Sequence, residues 1–223
     1  MTSVAPSPRI VALLRGRGAV LVLTGAGVSS ESGISTFRDA GGVWDGIDPM
    51  RVATPRAIAA IEATGRPFLL ATQNVDGLHE RAGSRSVVRL HGSLWSLRCT
   101  GEGTEHDDLR PTLDPLPPRC ATCGAMLRPA VVWFDEPLPV IEFSRAERAA
   151  RAAELVLVVG TSSLVYPAAS LQATALTAGA YVVEINPERT PFTAAASEHL
   201  PGPAGVVLPA LLAAAGIPMD RAA

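Results

Sequence analysis

Lysine is missing from this chain of 223 residues, because all 19 of its basic residues are arginine. The absence excludes mechanisms that need a lysine side chain, namely Schiff-base chemistry, phosphate-loop nucleotide hydrolysis and kinase-type phosphoryl transfer. Any chemistry therefore depends on histidine, carboxylates, polar side chains or a cofactor.

Charge of either sign is also scarce. Only 18% of the residues are charged and the net charge is −2, so we expect no direct nucleic-acid binding. No apolar run approaches the roughly 18 residues of a membrane span, and the first residues are neither basic nor followed by an apolar signal core. These absences predict a soluble, cytoplasmic protein that has no membrane partner.

Hydrophobic residues make up 48% of the chain, which is enough for one substantial core. Short β-rich apolar runs alternate with helical stretches, and this alternation predicts an α/β fold with helices on both faces of a parallel sheet. The predicted strands are residues 19–24, 67–72, 86–90, 155–160 and 180–185. The predicted helices are residues 8–17, 55–64, 144–153, 167–178 and 209–214.

The stretch 98–128 differs from the rest, since it has little periodicity and contains all three cysteines, Cys99, Cys120 and Cys123. We interpret it as a small insertion in a main domain formed by residues 1–97 and 129–223.

Each predicted strand ends in a polar cluster. Open α/β sheets bind ligands beyond the carboxyl ends of their strands, so the clusters predict one shared crevice. The first cluster, Gly25-Ala-Gly-Val-Ser, allows a phosphate to approach the backbone, although Ser30 stands where a third glycine would complete a dinucleotide fingerprint. Alone it fits a tight turn equally well.

Two further clusters carry side chains that can act on a ligand. The glycine-rich segment 33–44 contains Phe37 and Arg38 and is interpreted either as a lid over a ligand or as an ordinary exposed loop. Asn74, Asp76 and His91 supply an amide, a carboxylate and an imidazole at neighbouring strand ends. His79, with helix-forming neighbours, is interpreted as structural or exposed.

Seven ordered motifs extend over nearly the whole chain. They are Gly25-Ala-Gly-Val-Ser, Gly33-Ile-Ser-Thr-Phe-Arg, Thr72-Gln-Asn-Val-Asp-Gly-Leu-His, Leu90-His-Gly-Ser, Val132-Trp-Phe-Asp-Glu, Gly160-Thr-Ser-Ser and Asn186-Pro-Glu. The series closely resembles bacterial sirtuins. The resemblance implies an NAD-dependent protein lysine deacylase with a Rossmann-like large domain and a small zinc-bearing domain.

The resemblance also implies residue roles. His91, Asn74 and Asp76 would be catalytic, with His91 as the general base on the ribose hydroxyl after nicotinamide has left. Gln73 and Asn74 would face the nicotinamide ribose, and Asp76 the carboxamide. Phe37 and Arg38 would belong to a cofactor loop of about residues 33–50. The residues expected to contact NAD are Gly25, Ala26, Gly27, Phe37, Arg38, Gln73, Asn74, Asp76, Gly160, Thr161, Ser162, Asn186 and Ala204.

An acyl-lysine peptide or protein is the expected partner. The backbone of residues 132–136 would be extended and pair with the peptide as an added strand, through Val132, Trp133, Phe134 and Glu136. The acyl-lysine would then enter a tunnel beside Phe134.

The sequence departs from the family pattern at the zinc site. Cys120-Ala-Thr-Cys123 is intact, but the first pair reads Cys99-Thr-Gly-Glu102. Cys99, Cys120 and Cys123 suit structural Zn²⁺, with His106 or a nearby carboxylate as a fourth ligand. The alternative is an eroded module with three reduced thiols.

A second departure is a helical segment missing between Trp44 and Gln73. With it goes the Tyr-x-x-Arg pair by which some bacterial members of the family recognise acidic acyl groups. Asp135 also stands where glycine is common in the family. A shortened small domain leaves two alternatives open, an NAD glycohydrolase or ADP-ribosyltransferase, and a non-catalytic NAD or ADP-ribose binding module. The sequence leaves the oligomeric state open.

Overall fold

A computed structural model of the chain describes residues 6–30, 53–110 and 113–219. Its helices are α1 (Pro8–Arg15), α2 (Ala26–Ser30), α3 (Ala53–Glu62), α4 (Leu78–Arg81), α5 (Val140–Ala152), α6 (Ser170–Thr177) and α7 (Ala204–Ala215). Its strands are β1 (Val20–Thr24), β2 (Phe68–Thr72), β3 (Val87–Arg89), β4 (Gly92–Cys99), β5 (Glu105–Asp107), β6 (Leu127–Val131), β7 (Leu155–Val159), β8 (Tyr181–Asn186) and β9 (Glu198–Pro201).

The main sheet has the strand order β3-β2-β1-β7-β8-β9, and every pair of neighbours is parallel. The central strands β1 and β7 are buried along their whole length, as continuous runs of valine and leucine predict for strands covered on both faces. The order reverses between β1 and β7, which is the arrangement of dinucleotide-binding α/β folds. The predicted α/β, Rossmann-like fold is confirmed.

Helices cover both faces of this sheet, and alternate residues of β1 separate the two cores. Val20 and Val22 point to the face that packs against Ile10, Ile58 and Leu212 of α1, α3 and α7. Leu21 and Leu23 point to the opposite face, where the packing partners are Ala146 and Ala150 of α5 and Leu171 and Ala175 of α6. The sheet is therefore held rigidly, with its carboxyl edge left for loops.

A second, antiparallel sheet has the order β5-β4-β6. It extends from residue 92 to residue 131, further in both directions than the insertion expected at 98–128. Its longest strand, β4, begins directly after His91 and ends at Cys99, so one strand joins the candidate base to a candidate metal ligand.

The helix predicted at 209–214 begins five residues earlier than expected. Pro209 marks a helix start in sequence, yet it lies inside α7. The apolar side chains of Ala204, Leu208 and Leu211 are buried against the sheet, and this packing favours the longer helix. Among the helices in the described ranges, none is long and apolar enough to span a bilayer.

Candidate active site

The turns that follow β1 and β7 pack directly on each other. The Gly25 N–H donates to the Val159 carbonyl at 3.2 Å, and the Gly27 N–H donates to the Gly160 carbonyl at 2.8 Å. A Cβ on Gly27 would lie 2.8 Å from the Gly160 Cα, and one on Gly160, whose φ is +57°, would lie 2.8 Å from the Val28 nitrogen. Glycine is therefore required at both positions, and a backbone without side chains suits the approach of a phosphate.

A cavity of about 480 Å³ opens beside these two turns. Such a volume is typical of a small-molecule or cofactor site. Five residues predicted to bind the cofactor line it, namely Gly27, Gly160, Ser162, Asn186 and Ala204. The structure thus brings together residues that are up to 177 positions apart in sequence.

Three amide side chains connect the strand ends around the crevice. The Gln73 Nε2 donates to the Thr161 Oγ1 at 3.1 Å, and the Asn186 Nδ2 donates to the Thr161 carbonyl at 3.2 Å. The Asn74 Nδ2 donates to the Gly25 carbonyl at 3.0 Å. These bonds join the ends of β1, β2, β7 and β8, so the predicted ligand-binding side chains are oriented before a ligand arrives.

Asp76 is a buried carboxylate at this edge, with 5% of its surface exposed. One carboxylate oxygen accepts the Leu78 N–H at 2.9 Å, and the other accepts a short hydrogen bond from the Ser29 hydroxyl. Buried carboxylates are stabilised by such donors. Ser29 belongs to the first motif but was not predicted as a site residue.

His79 lies beneath the site and is buried. Its Nε2 is 3.1 Å from the Thr24 Oγ1, and the Thr24 hydroxyl donates to the Thr72 Oγ1 at 2.8 Å. Burial lowers the pKa of His79, while the charge of Asp76 opposes the shift. Its contacts fit the structural interpretation and support the strand ends that carry Gly25 and Gln73.

His91 is oriented by its ring nitrogen Nδ1, which lies 3.0 Å from the Gln73 carbonyl oxygen. A carbonyl only accepts, so Nδ1 carries the proton and Nε2 keeps its lone pair. Burial lowers the pKa of His91, and the hydrogen bond to Gln73 raises it by less. The imidazole is therefore neutral near pH 7 and presents a basic nitrogen, as a general base requires.

The segment after β6 differs from the expectation for residues 132–136. The Val132 N–H donates to the His91 carbonyl at 2.9 Å, but the chain then turns, and the Glu136 N–H donates to the Trp133 carbonyl at 3.1 Å. Phe134 is 98% exposed, and Asp135 has a φ of +69° in the left-handed region. The expectation of an extended backbone is wrong beyond Trp133.

Glu136 stabilises this turn. Its carboxylate accepts the Trp133 N–H at 3.0 Å and pairs with the Arg128 guanidinium at 2.7 Å. The same two donors lower the pKa of Glu136. Aspartate tolerates the left-handed conformation better than most residues, so Asp135 can stand where glycine is common in the family.

Three cysteines and one carboxylate form a cluster at the end of the second sheet. The ligand atoms of Cys99, Glu102, Cys120 and Cys123 all lie within 4.8 Å of one another. The backbone N–H groups of Cys123 and Thr122 lower the pKa of Cys120 to about 7, which favours a thiolate. Three sulfurs and one carboxylate oxygen match the donors of a tetrahedral zinc site.

His106 is not part of this cluster. It is exposed on β5, opposite Leu97 of β4. The carboxylate that joins the cysteines is Glu102, and its C-x-x-E spacing from Cys99 was the sequence signal. Phe37 and Arg38 lie outside the described residues.

The comparisons with known proteins agree with this geometry. The model of the Sir2 family matches residues 25–62 and 54–167. An NAD-dependent protein deacylase of Aquifex aeolicus is 43% identical over 210 residues, with 81% of this chain and 88% of the relative covered. The chain belongs to the Sir2 family.

Solved structures give the same result for the fold. A Sir2 homolog–NAD complex superposes with a TM-score of 0.86 at 36% identity and covers 99% of this chain and 98% of its own. A Sir2–p53 peptide–NAD⁺ complex superposes with a TM-score of 0.80 at 28% identity, covering 95% of this chain and 99% of its own.

The alignment also bears on the length of this Sir2 chain. The alignment with the Aquifex protein is 210 residues long, but it includes only 81% of the 223 residues of this chain, which is fewer than 210. Some positions of the alignment therefore have no residue in this chain. The family model likewise matches in two stretches whose junction lies between Trp44 and Gln73. Both observations are consistent with a segment that this chain lacks.

Proposed function

We propose that the protein is an NAD-dependent protein lysine deacylase that releases nicotinamide, deacylated lysine and O-acyl-ADP-ribose. The observation that carries the proposal is the orientation of His91, whose Nε2 keeps its lone pair beside the carboxyl edge of a dinucleotide-binding sheet and has no hydrogen-bond partner among the described residues. Membership of the Sir2 family and the relatives named NAD-dependent protein deacylase support it.

The two halves of NAD are assigned to two parts of the crevice. The glycine turns at Gly25–Gly27 would hold the phosphates, and the cavity lined by Gly160, Ser162, Asn186 and Ala204 would hold the adenosine half. Thr161 supports both halves, since it accepts a hydrogen bond from Gln73 on one side and from Asn186 on the other.

The nicotinamide half is assigned to Gln73, Asn74 and Asp76. When bound, NAD supplies the electrophilic anomeric carbon and the ribose hydroxyls that the reaction uses. Gln73 and Asn74 orient the ribose, and Asp76 holds the carboxamide. Placing these groups in advance lowers the entropic barrier to attack by the acyl oxygen.

His91 acts after nicotinamide has left. Its Nε2 would accept the proton of a ribose hydroxyl while that oxygen attacks the acyl carbon, which is still bonded to the lysine nitrogen. The Gln73 carbonyl holds the Nδ1 proton during this step and so keeps the ring in the required tautomer. The resulting imidazolium can return its proton as the lysine amine departs.

We assign the acyl-lysine peptide to the surface at Val132, Trp133, Phe134 and Glu136. Trp133 and Phe134 are exposed apolar side chains that directly follow Val132, whose N–H bonds the His91 carbonyl. Leu164, Val165 and Tyr166 add exposed apolar surface after β7. Backbone pairing would be limited to the short stretch around Val132, because the chain turns at residues 133–136.

We assign a structural Zn²⁺ to Cys99, Cys120, Cys123 and Glu102. The second sheet buries few large apolar side chains, so ligation would add stability that packing alone does not supply. The sequence properties also favour a cytoplasmic enzyme that binds neither membranes nor nucleic acid.

A second candidate activity is peptide-independent cleavage of NAD, which the expected loss of a helical segment favours because less protein would then cover the anomeric carbon. Nicotinamide release from NAD, measured with and without an acetyl-lysine peptide, separates the candidates. Release that requires peptide supports deacylation, and release without peptide supports a glycohydrolase. The absence of release in both conditions would contradict both enzymes and favour a binding module.

A further inference from the structure

Strand β4 has an irregularity that faces the candidate active site. Ser93 pairs with Ala130 and Leu97 pairs with Pro129, although Pro129 and Ala130 are adjacent on β6. Residues 94–96 therefore bulge out of the pairing with β6, although Ser96 still pairs with Asp107 of β5, and Pro129, which has no N–H, forms no competing bond there. Bulges of this kind redirect side chains toward neighbouring sites.

The bulge directs β4 toward the turn that carries Asp76. The Leu94 N–H donates to the Val75 carbonyl at 3.0 Å, and the Trp95 Nε1–H donates to the Asp76 carbonyl at 2.7 Å. A Cβ on Gly77, whose φ is +73°, would lie 3.0 Å from the Trp95 ring. The indole therefore fits closely against a left-handed glycine that leaves room for it.

The indole is fixed on its other sides as well. The Arg81 guanidinium lies over the ring at 4.3 Å from its centre, a cation–π geometry. The Trp95 carbonyl accepts the Asp108 N–H at 2.8 Å. Trp95 is thus held between α4 and β5, and its N–H has a fixed direction.

Asp76 is then restrained from both ends. Ser29 and Leu78 hold its carboxylate, while Trp95 holds its backbone carbonyl. Loss of the indole donor would remove this hydrogen bond, the one that the described residues give to the Asp76 carbonyl, and would allow the turn to shift. Ser29 and Leu78 would remain as donors, but they would hold the carboxylate in a different place.

We propose that Trp95 is a positioning residue that sets the Asp76–Gly77 turn and, through it, the affinity for the nicotinamide end of NAD. The proposal rests on the proposed function, in which Asp76 holds the carboxamide. It gives the second sheet a role in the cofactor site, since β4 connects Trp95 to Cys99.

The test compares three variants with the wild type in steady-state deacylation of an acetyl-lysine peptide. Trp95→Phe keeps an aromatic ring and removes the N–H, while Trp95→His returns an N–H on a five-membered ring. Tyr181→Phe is the matched control, because it also removes one aromatic donor, the hydroxyl that donates to Glu198 at 3.0 Å. Both residues lie at the amino ends of their strands, β8 and β9, at the edge of the sheet opposite the crevice. Inhibition by nicotinamide and by ADP-ribose, which lacks nicotinamide, is measured for each.

For Trp95→Phe we expect a roughly tenfold increase in the KM for NAD and a similar increase in the inhibition constant of nicotinamide, as one lost hydrogen bond to a buried carbonyl predicts. The inhibition constant of ADP-ribose and the KM of the peptide should stay within about twofold. Trp95→His should recover part of the loss, and Tyr181→Phe should match the wild type.

Two results would overturn the assignment. Equal weakening of NAD and ADP-ribose in Trp95→Phe would indicate general damage to the fold, and unchanged constants would show that the indole has no positioning role. A wild-type protein that neither deacylates the peptide nor binds either nucleotide would instead contradict the proposed function. Melting temperatures of all variants identify a loss of folding. The value for Tyr181→Phe shows how much the removal of an aromatic donor outside the site lowers the melting temperature.

Discussion

The Nδ1 of His91 lies 3.0 Å from the carbonyl oxygen of Gln73, whose side chain also reaches across the sheet to Thr161. One residue therefore fixes the tautomer of the candidate base through its backbone and joins two strand ends through its amide. The base and the cofactor crevice are positioned by the same turn after β2.

Replacing His91 by alanine should abolish deacylation while NAD binding remains measurable, because the imidazole acts on the ribose after nicotinamide has left. The peptide product and NAD binding by calorimetry provide the two measurements. A variant that loses both to the same extent would indicate a structural role for His91.

The pKa of His91 predicts the acidic limb of the pH profile. Burial holds this pKa below the ordinary value of about 6.5. We expect kcat/KM to be nearly constant from about pH 7 to pH 8 and to fall only below about pH 6.5, as the imidazole becomes protonated. A fall that begins above pH 7 would contradict a buried, neutral base.

The lowered pKa values of His79 and His91 predict how the free energy of unfolding depends on pH. His79 and His91 have lowered pKa values in the folded protein, so below about pH 6.5 the unfolded chain binds protons that the folded chain does not. The free energy of unfolding should therefore be highest above this pH and decrease as the pH falls toward 5.5. Urea unfolding at pH 7.5 and 5.5 measures it, and His79→Gln should reduce the difference.

The metal site predicts one zinc per chain by elemental analysis. Cys120→Ser should release the metal and loosen the second sheet while the main sheet stays folded. Glu102→Ala should accelerate removal of zinc by a chelator, whereas Glu105→Ala, which removes a nearby exposed carboxylate paired with Arg98, should not. Wild-type protein without zinc would contradict the metal site. Equal rates of zinc removal from the two glutamate variants would exclude Glu102 as a ligand.

The close contact of the glycine turns is tested by Gly160→Ala. The variant places a Cβ in a left-handed backbone and against the Val28 nitrogen, so we expect a loss of about 2–4 kcal/mol and weaker NAD binding. Gly179→Ala is the control, because its φ is +91° but no atom lies within 4 Å of the added Cβ, and it should cost only about 1 kcal/mol. Similar losses would show that the contact between the turns contributes little.

Much of the fold follows from local patterns. The valine and leucine runs of β1 and β7 are continuous and bounded by glycine, so their position and parallel pairing were predictable. Strand β9, with the sequence Glu-His-Leu-Pro, has no such pattern, because its place at the sheet edge depends on pairing with β8. Short polar strands are determined by their partners more than by their own residues.

The candidate site also contains features that the sequence predicts and features that it does not. Asn74, Asp76 and His91 follow strands, and their convergence was predictable from the parallel sheet. The contact of Trp95 with Asp76 was not, since it requires a bulge that only the pairing of β4 with β6 reveals. The turn at Trp133–Glu136 was missed because it depends on the carboxylate of Glu136 bonding the Trp133 N–H.

The helical segment expected to be missing between Trp44 and Gln73 predicts the acyl preference. A wider tunnel desolvates acetyl poorly, while longer apolar chains gain about 0.8 kcal/mol per buried CH₂, or about fourfold in affinity. Succinyl lacks a Tyr-x-x-Arg partner, and Asp135 carries a like charge if it faces the tunnel. We expect longer apolar acyl groups above acetyl and acetyl above succinyl, and peptides that differ only in the acyl group test the order. Fastest turnover of succinyl-lysine would contradict it.

The identity of the products tests the proposed deacylase activity most directly. The purified protein is incubated with NAD and an acetyl-lysine peptide, and mass spectrometry quantifies deacetylated peptide, nicotinamide and the ADP-ribose product. A deacylase of the proposed kind forms equal amounts of all three, with the acetyl group on ADP-ribose. Nicotinamide formed together with unmodified ADP-ribose, while the peptide keeps its acetyl group, would contradict it.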